Sequence, residues 1–430
     1  MVILYSITLL TASAYGKSGI KWQKKSPTRA VFSIFPVLRY GRHRADDSSG
    51  EFINAISNGI IIKGRHVMKC LNCDRMRLFV VFVAAVVLCG VNAKADFTFG
   101  EPVNLGSAIN WNLQDSGASL STDGLLLFFT SRRSSGLNGY DIWVATRATV
   151  NDDWSQSVKL GPAVNMTDHS EWDPSISSDG SELYFSRGPE KTNHDLYVTT
   201  RETTNDEWST AVSLGETINS SAEDGYPCIS ADGLSLYFSS DRAGGEGGRD
   251  IYVTMRLTEN DAWSAPVNLG PTINSSSNDI APSITSDGLT LIFSSQRPGK
   301  YSTYYDLWMT KRKTTSDPWE EPINLGPIIN TNDVDYTGIS SDGRTLYLSC
   351  WNRPGGYGLY DIWQAQVIPV VDFNDDGNID TDDLLIIIDN WGSNETLCDI
   401  GPMPLGDGTV DIKDLEVFMS YWERKNMSDD

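Results

Sequence analysis

Short apolar runs alternate with polar turn residues along most of the chain, from Gln114 to Gln366. The runs are rich in β-branched and aromatic residues, and Gly, Asp, Asn and Pro separate them. In one representative stretch they cover residues 228–230, 234–239, 251–255 and 267–269. None of these runs carries a helical period of 3.6 residues over a useful length, so the pattern predicts short β-strands in groups of four.

The group of four runs occurs five times. An Asp-Gly pair lies between the first two runs of each copy, at Asp123–Gly124, Asp179–Gly180, Asp232–Gly233, Asp287–Gly288 and Asp342–Gly343. A fixed period of 53 to 56 residues indicates an array of equivalent units. Four short strands per unit are typical of the blades of a β-propeller, and an Asp-Gly pair suits the tight hairpin turn between two of them.

The number of blades follows from how the array begins and ends. The fifth copy lacks a fourth strand, whereas the sequence EPVNLG at 101–106 precedes the first copy and matches APVNLG at 265–270. We therefore expect the amino-terminal strand to complete the last blade. The prediction is an all-β, five-bladed propeller with four-stranded blades over residues 96–368.

The repeated motifs SDGxxLYFSSxR and DIYVTxR resemble the WD40-like propeller repeat of the TolB type, also called the PD40 repeat. The resemblance covers the whole array and implies the propeller fold. It implies little about activity, because propellers support many functions. TolB-like propellers usually have six blades, but no further copy of the repeat is present, which favours five.

The amino-terminal part of the chain has a different character. Residues 76–95 have a basic start, an apolar run and the small-residue exit Ala93-Lys94-Ala95, which together predict a secretory signal peptide. The apolar run is shorter than the roughly 20 residues of a membrane span, so no span is expected in the mature chain. Residues 1–75 are basic and lack the repeat, and we interpret them as mistranslated upstream sequence or a disordered segment.

Net charge narrows the possible partners. The chain carries a formal charge of −22, and the part from residue 96 onward, with 20 basic and 52 acidic residues, carries −32. Such a charge argues against nucleic acid and anionic membranes as partners, and it suits an extracytoplasmic protein that meets calcium. That part contains three cysteines, Cys228, Cys350 and Cys398, an odd number that indicates no disulfide framework.

The carboxyl-terminal segment contains a calcium-loop pattern, DFNDDGNIDTDD, at 372–383. Its oxygen-bearing side chains are spaced to surround one ion, and Gly377 stands where the loop must turn sharply. The predicted calcium ligands are Asp372, Asn374, Asp376, Asn378, Asp380 and Asp383. An apolar helix is expected to follow, from Asp382 to Trp391.

The loop and helix recur 31 residues later, with Asp407, Asp411 and Asp414 as the candidate ligands. This duplication resembles a type I dockerin, a small EF-hand-like α-helical domain, here at 369–425. The resemblance implies calcium binding and docking to a cohesin-type domain or another cell-surface protein. Met403 and Leu405 replace two ligands of the second loop, where Asp399 is a possible substitute. A calcium-stabilised cap without a cohesin partner is the alternative.

Five acidic residues recur just before the first strand of each copy: Asp115, Glu171, Asp224, Asp279 and, one residue out of register, Asp335. Because the innermost strands of a propeller converge, these acids could ring the channel mouth and bind a metal or a sugar. Alternatively, each could accept hydrogen bonds within its own loop. The aromatic residues Trp172, Tyr226 and Tyr336 of the same segments are candidate ligand contacts.

Other recurring residues are expected to be structural. An Arg and an Asp per copy, such as Arg187 with Asp195, are predicted to staple loops, and Trp208 and its equivalents are predicted to pack between blades. The histidines His169 and His194 lie near the second copy without a recognised spacing, and no serine elbow, phosphate loop or zinc motif is present.

These observations favour a secreted propeller that acts as a binding or interaction module on a calcium-dependent dockerin-like tail, in an extracellular polysaccharide-processing assembly. The first alternative is a glycoside hydrolase, or an accessory enzyme of polysaccharide breakdown, that uses carboxylates of the channel face. The second is a structural surface protein. An enzyme should show acids on the channel face that break the repeat, and the sequence assigns no catalytic residue.

Overall fold

The structure, a computed structural model, describes residues 97–133, 139–189, 193–374, 378–393, 398–401, 406 and 409–428. The predicted upstream segment 1–75 and signal peptide 76–95 lie outside the described residues. Within the described part, no helix has both the length and the apolar character needed to cross a bilayer.

Five antiparallel sheets follow one another along the chain. The first two blades, from the axis outward, are β3 (Asp115–Leu120), β4 (Leu126–Ser131), β5 (Asp141–Thr146) and β6 (Val158–Lys159), then β7 (Ser170–Ile176), β8 (Glu182–Gly188), β9 (Asp195–Thr200) and β10 (Val212–Ser213). The next two are β11 (Asp224–Ile229), β12 (Ser235–Ser240), β13 (Asp250–Met255) and β14 (Val267–Asn268), then β15 (Asp279–Ile284), β16 (Thr290–Ser295), β17 (Asp306–Lys311) and β18 (Ile323–Asn324). The fifth contains β19 (Val334–Ile339), β20 (Thr345–Trp351) and β21 (Tyr360–Pro369), with β1 (Phe97–Phe99) and β2 (Val103–Asn104) on its outer edge.

The five sheets form a closed ring. Each innermost strand contacts the innermost strand of the next blade, and β19 of the last blade contacts β3 of the first. Val103 pairs with Gln364 and Asn104 with Trp363, so the amino-terminal strand completes the last blade. The prediction of five four-stranded blades closed by the amino terminus is confirmed. The second closing strand, β1, pairs Phe97 with Pro369 and was not predicted.

The Asp-Gly turns form as the sequence predicts. The five glycines have φ between 64° and 73°, a region that favours glycine. The aspartate of each pair fixes the turn with its carboxylate. In the third blade, for example, Asp232 accepts hydrogen bonds from the Ser230 hydroxyl at 2.5 Å and from the Leu234 N–H at 3.0 Å.

The innermost strands differ from the prediction. In the third blade this strand begins at Asp224 rather than Cys228, because a β-bulge between Gly225 and Cys228 allows pairing to continue through the expected loop. Four of these strands have a residue with a positive φ at the bulge, namely Gly117, Asp173, Tyr226 and Ala281. The bulge directs these residues, and Tyr336 in the last blade, toward the central cavity.

One asparagine per blade extends the pairing at the outer edge. Its side-chain Oδ1 accepts the N–H of a residue in the third strand, and its Nδ2 donates to the carbonyl of that same residue. The pairs are Asn110–Ile362, Asn165–Ile142, Asn219–Leu196, Asn274–Ile251 and Asn330–Leu307. Asn110 belongs to the amino-terminal segment, so this pair also helps to close the ring.

Aromatic side chains pack between neighbouring blades, as the repeated tryptophans predict. Trp208 of the second blade meets Phe128 of the first edge to face, with ring centroids 6.2 Å apart. Its other neighbour is the Arg201 guanidinium, 4.2 Å from the ring centroid. Trp263 repeats the arrangement with Tyr184 and Arg256.

The tail contains two helices, α1 (Thr381–Asp389) and α2 (Ile412–Ser428). They share a hydrophobic cluster that includes Phe373, Ile387 and Phe418, and all members of this cluster belong to residues 371–422. The helix predicted from Asp382 to Trp391 is present, with Asp380 as its amino-terminal cap. The tail therefore has a core of its own.

We expect Phe99→Ala to lower the free energy of unfolding by about 3–5 kcal/mol, because it empties a buried position beside β21. Thr98→Ala is the matched control, since Thr98 lies between the two buried phenylalanines but is exposed. Chemical denaturation followed by tryptophan fluorescence measures both. Equal stability of the two variants would show that β1 does not hold the ring closed.

Candidate functional site

Four of the five recurring acids lie inside the blades. The side chains of Asp115, Glu171, Asp224 and Asp279 have no exposed area. Each forms an ion pair with an arginine in or just after the end of the second strand of its own blade: Arg133–Asp115 at 3.2 Å, Arg187–Glu171 at 2.9 Å, Arg297–Asp279 at 2.7 Å, and Arg242–Asp224. These carboxylates therefore do not form a ring at the channel mouth.

The same acids also fix the loops that lead into the innermost strands. Asp279 accepts the N–H of Ser275 at 2.6 Å, and the equivalent bond to Asp224 comes from Ser220 at 2.6 Å. Arg187 additionally donates to the carbonyl of Val164 at 2.6 Å. The arginine staple predicted with Asp195 is thus made with Glu171 instead, because the bulged strand brings that acid beside the second strand.

Asp335 has a different environment because its blade is shifted by one residue. Val334 occupies the buried position that an acid holds in the other blades. Asp335 is half-buried, its Oδ2 accepts a hydrogen bond from the Tyr360 hydroxyl at 2.7 Å, and its Oδ1 has no hydrogen-bond partner in the described part of the chain. Burial, together with the charges of Asp333 and Asp173, raises its pKa to about 7.

The residues at the bulge differ between blades, although most of the repeat does not. They are Gly117, Asp173, Tyr226, Ala281 and Tyr336, and with their neighbours they line a cavity of about 40 Å³ on the axis. Tyr226 and Tyr336 come from blades three and five, yet their ring centroids are only 5.3 Å apart. Ala281 of the intervening blade is small, which leaves room for this contact.

Asp173 is the acidic member of this set, and the sequence did not single it out. It is 8% exposed. The Ser186 hydroxyl donates to its Oδ2 at 3.3 Å, while its Oδ1 has no hydrogen-bond partner among the described residues. Burial raises its pKa to about 6, although the nearby His194 opposes the shift. The sequence feature that could have pointed to Asp173 is that the other four repeats carry Gly, Tyr, Ala and Tyr at this position.

His194 lies beside this aspartate and is held on two sides. Its ring stacks on Trp172 with centroids 4.0 Å apart, and its Nδ1 lies 3.1 Å from Oε1 of Glu223. Arg249 pairs with the other carboxylate oxygen of Glu223. These two partners lower the pKa of Glu223 to about 2. The Nε2 of His194 is buried and has no hydrogen-bond partner within the described ranges.

The three predicted aromatic residues gather around the channel, but they lie in innermost strands rather than in loops. Trp172 is largely buried between His194 and Tyr140, whose ring centroid is 5.5 Å away. Tyr226 and Tyr336 line the axial cavity. We name Trp172, Asp173, His194, Tyr226, Asp335 and Tyr336 the channel cluster. It combines aromatic surface with polar atoms that lack partners.

The predicted calcium loop is described apart from residues 375–377, so the predicted ligand Asp376 and the turn residue Gly377 lie outside the described residues. Asp383 is fully buried and accepts N–H groups from Phe373 at 2.7 Å and from Asp380 at 2.9 Å. The loop therefore folds around the carboxylate of its twelfth position. Asp372, Asn374, Asn378 and Asp380 supply further oxygen atoms, the donors that calcium prefers.

The second loop repeats this arrangement around Asp414. That carboxylate is fully buried and accepts N–H groups from Ile400 at 2.6 Å and from Asp411 at 2.6 Å. Asp399 reaches the same loop, since a Cβ atom on Gly406 would lie 2.3 Å from its Oδ1. Asp407 lies outside the described residues. Among those described, no group of three or more His, Cys, Asp or Glu side chains is spaced to hold a metal ion.

Comparisons with known proteins find similar solved structures. TolB from Acinetobacter baumannii is 14% identical with a TM-score of 0.39, over 69% of this chain and 70% of that chain. An alpha-L-arabinofuranosidase from Podospora anserina is 11% identical with a TM-score of 0.42, over 64% and 97%. One from Lactobacillus brevis is 13% identical with a TM-score of 0.41, over 60% and 91%.

No protein-family profile and no curated protein matches the chain. With TM-scores below 0.5, the solved structures assign it to no family.

We expect Arg297→Met to lower the free energy of unfolding by about 3–5 kcal/mol, because it leaves the buried Asp279 carboxylate without its cation. Adding Asp279→Asn should restore a large part of the loss, since the uncompensated charge is then gone. Urea denaturation of the two variants measures the difference. A silent Arg297→Met would contradict a structural role for the buried pairs.

Proposed function

We propose that the chain is a secreted, carbohydrate-binding propeller attached to a calcium-dependent, dockerin-like tail, and that it works in an extracellular polysaccharide-processing assembly. The observation that carries the proposal is the channel cluster. It breaks the repeat, and it places aromatic rings beside polar atoms without partners.

The chemistry of this cluster suits a sugar. Sugar rings present apolar C–H faces that pack on aromatic rings, and hydroxyl groups that bond to carboxylates and imidazoles. Tyr226 and Tyr336 supply the aromatic surface, and Asp335 is half-buried beside them. The unpartnered atoms of Asp173, His194 and Asp335 are suitable partners for ligand hydroxyls or bound water.

Packing alone would explain only part of the cluster. Five large side chains cannot converge on one axis, so some departure from the repeat is required at the bulge. Packing does not require acids there, because a buried carboxylate oxygen without a hydrogen bond lowers stability. Asp173 has such an oxygen in a side chain that lines the axial cavity, which favours a ligand or bound water there over a purely structural plug.

The chemistry of the tail favours calcium binding. Its donors are oxygen atoms, and carboxylates brought together around one loop repel each other without a cation. The helices also expose the apolar side chains of Leu385, Ile388 and Ile412, each more than half exposed. Such a surface suits a cohesin-type domain or another cell-surface protein, the partners that the dockerin resemblance implies.

We expect Tyr226→Ala to weaken polysaccharide binding about tenfold, or 1.4 kcal/mol, through the loss of stacking area. The variant should fold, because Ala281 occupies the same position with the same positive φ in blade four. Tyr301→Ala, at an exposed tyrosine outside the channel cluster, is the matched control. Affinity electrophoresis in xylan, arabinogalactan, β-glucan and pectin gels measures binding. Equal retardation of both variants would contradict the channel as the binding site.

We expect calcium to stabilise the tail of the full chain, with one tight site in the first loop and a weaker second site. Asp372→Ala should abolish the tight site, because it removes the first ligand of that loop, whereas Asp389→Asn, at the exposed end of α1, should not. Titration calorimetry and the calcium dependence of helix unfolding measure both. Two equally tight sites would show that Asp399 completes the second loop.

A further inference from the structure

Five large apolar side chains are exposed together where the last blade meets the first. Trp111 and Leu113 belong to the segment that leads into β3. Trp351, Tyr357 and Leu359 belong to the end of β20 and the connection that follows it. Each of the five is between 37% and 53% exposed. We name these five residues the seam patch.

Main-chain contacts join the two segments of the seam patch. The N–H of Leu359 donates to the carbonyl of Leu113 at 2.7 Å, and the N–H of Asn352 donates to the carbonyl of Leu359 at 2.7 Å. A Cβ atom on Gly358 would lie 2.6 Å from the carbonyl oxygens of both Trp111 and Leu113, so the two segments touch. The seam patch is therefore one surface, and exposed apolar patches of this kind mark binding sites.

The seam between the third and fourth blades has the same main-chain contact but different side chains. There the N–H of Gly248 donates to the carbonyl of Ser277, as Leu359 does to Leu113. In the order of the seam patch, the equivalent residues are Ser275, Ser277, Asp241, Glu246 and Gly248. None of these is a large apolar residue, so contact between blades does not require the seam patch.

We propose that the seam patch binds an uncharged polysaccharide chain, which stacks on Trp111, Trp351 and Tyr357. The inference deepens the proposed function and rests on it, because the chain held here would be the one that reaches the channel cluster. Trp351 connects the two surfaces. Its ring lies 5.0 Å from that of Tyr360, whose hydroxyl donates to Asp335 of the channel cluster at 2.7 Å.

The three aromatic rings of the seam patch belong to ordered main chain. The N–H of Tyr357 donates to Oδ2 of the buried Asp361 at 2.6 Å. The Arg133 guanidinium lies 6.0 Å from the ring centroid of Trp111, and Trp351 is paired within the sheet as the last residue of β20. Aromatic side chains held in this way lose little conformational entropy when the flat face of a sugar packs on them.

The surroundings of the rings favour an uncharged ligand. Residues 111–114 and 351–360 contain no acid, and Asn112 and Asn352 expose amides beside the rings. The one charged residue of these segments, Arg353, donates to two main-chain carbonyls of the segment after β18, at 3.2 and 3.3 Å. Amides bond to sugar hydroxyls, whereas the charge of −32 on the chain from residue 96 onward repels polyanions.

The size of the seam patch favours a narrow ligand over a protein. A standard protein interface contains about 20–30 residues on each side. The seam patch contains five. A glycan chain is one sugar ring wide, so it can contact three aromatic rings without covering more of the surface.

The tail lies at the opposite end of the fifth blade. β21 runs from Tyr360, beside the seam patch, to Pro369, a distance of about 30 Å. Glu416 of α2 lines a groove together with Asp342 and Arg344 of the Asp-Gly turn at that end. A polysaccharide on the seam patch and a partner on the tail can therefore bind at the same time.

The test is affinity electrophoresis of the full chain with calcium, in gels that contain arabinoxylan, mixed-linkage β-glucan or polygalacturonate. Trp111→Ser and Trp351→Gln each introduce the residue that the fourth blade carries at the equivalent position, so both variants should fold. We expect each to weaken binding to the two uncharged chains about tenfold, through the loss of a stacking ring. Tyr357→Ala should have a similar effect, whereas Tyr301→Ala, at the equivalent exposed tyrosine of the fourth blade, should not.

The outcomes separate this inference from the proposed function. Weakened binding in Tyr226→Ala with unchanged binding in Trp111→Ser and Trp351→Gln would overturn the inference and leave the proposed function standing. Retardation by polygalacturonate alone would have the same consequence. Absence of retardation by any polysaccharide would overturn both proposals. A dimer in sedimentation velocity that Trp351→Gln abolishes would assign the seam patch to a second copy of the chain and overturn the inference.

The exposed tryptophans supply a second readout. Addition of arabinoxylan or β-glucan should shift the tryptophan emission of the unmodified protein to shorter wavelength, because the rings leave water on binding. The shift should be smaller in Trp111→Ser and in Trp351→Gln, and thermal melting checks that both variants are folded. A shift of full size in both variants would contradict the assignment of these rings.

Discussion

The ring depends on the hydrogen bonds between the amino-terminal strands and the last strand, β21. Without β1 and β2 the fifth blade would end in an unpaired edge, which exposes main-chain groups and apolar surface together. Closure of the ring also brings the residues of the channel cluster together. Tyr336 belongs to the fifth blade, and it lines the axial cavity together with the second-blade Asp173 only in a closed ring. A local pairing at the perimeter therefore determines the chemistry at the axis.

Packing at the axis explains why the residues at the bulge differ between blades. Equivalent positions converge, so a side chain that suits one blade excludes a similar one in the next. Gly117 and Ala281 are small where Tyr226 and Tyr336 are large, and the two tyrosines meet across the gap. Because steric crowding prevents the blades from having the same residue at the bulge, each blade can carry a different chemical group there. This is how a symmetric fold acquires an asymmetric site without altering the blades.

Much of the fold could be predicted because it repeats. The Asp-Gly turns, the strand count and the match between residues 101–106 and 265–270 are local signals, and five copies reinforce each of them. The bulge could not be predicted from local sequence signals, because it depends on the pairing between neighbouring strands. The loops that were expected to hold the acids are therefore strand. Asp335 was noticed through its one-residue shift, whereas the importance of Asp173 and His194 depends on contacts between blades.

A raised pKa does not by itself distinguish the buried structural acids from the channel carboxylates. Burial raises the pKa of Asp115 to about 6, as it does for Asp173. Both oxygens of Asp115 are engaged, however, by Ser131 and Arg133 on one side and by the N–H of Trp111 on the other. Such a group can neither bind a ligand nor exchange a proton with one. Asp173 differs because its side chain lines the axial cavity, whereas Glu171, which also has an oxygen without a partner among the described residues, is paired with Arg187 inside its blade. The position of the side chain in the fold, and not the shift in its pKa, marks the site.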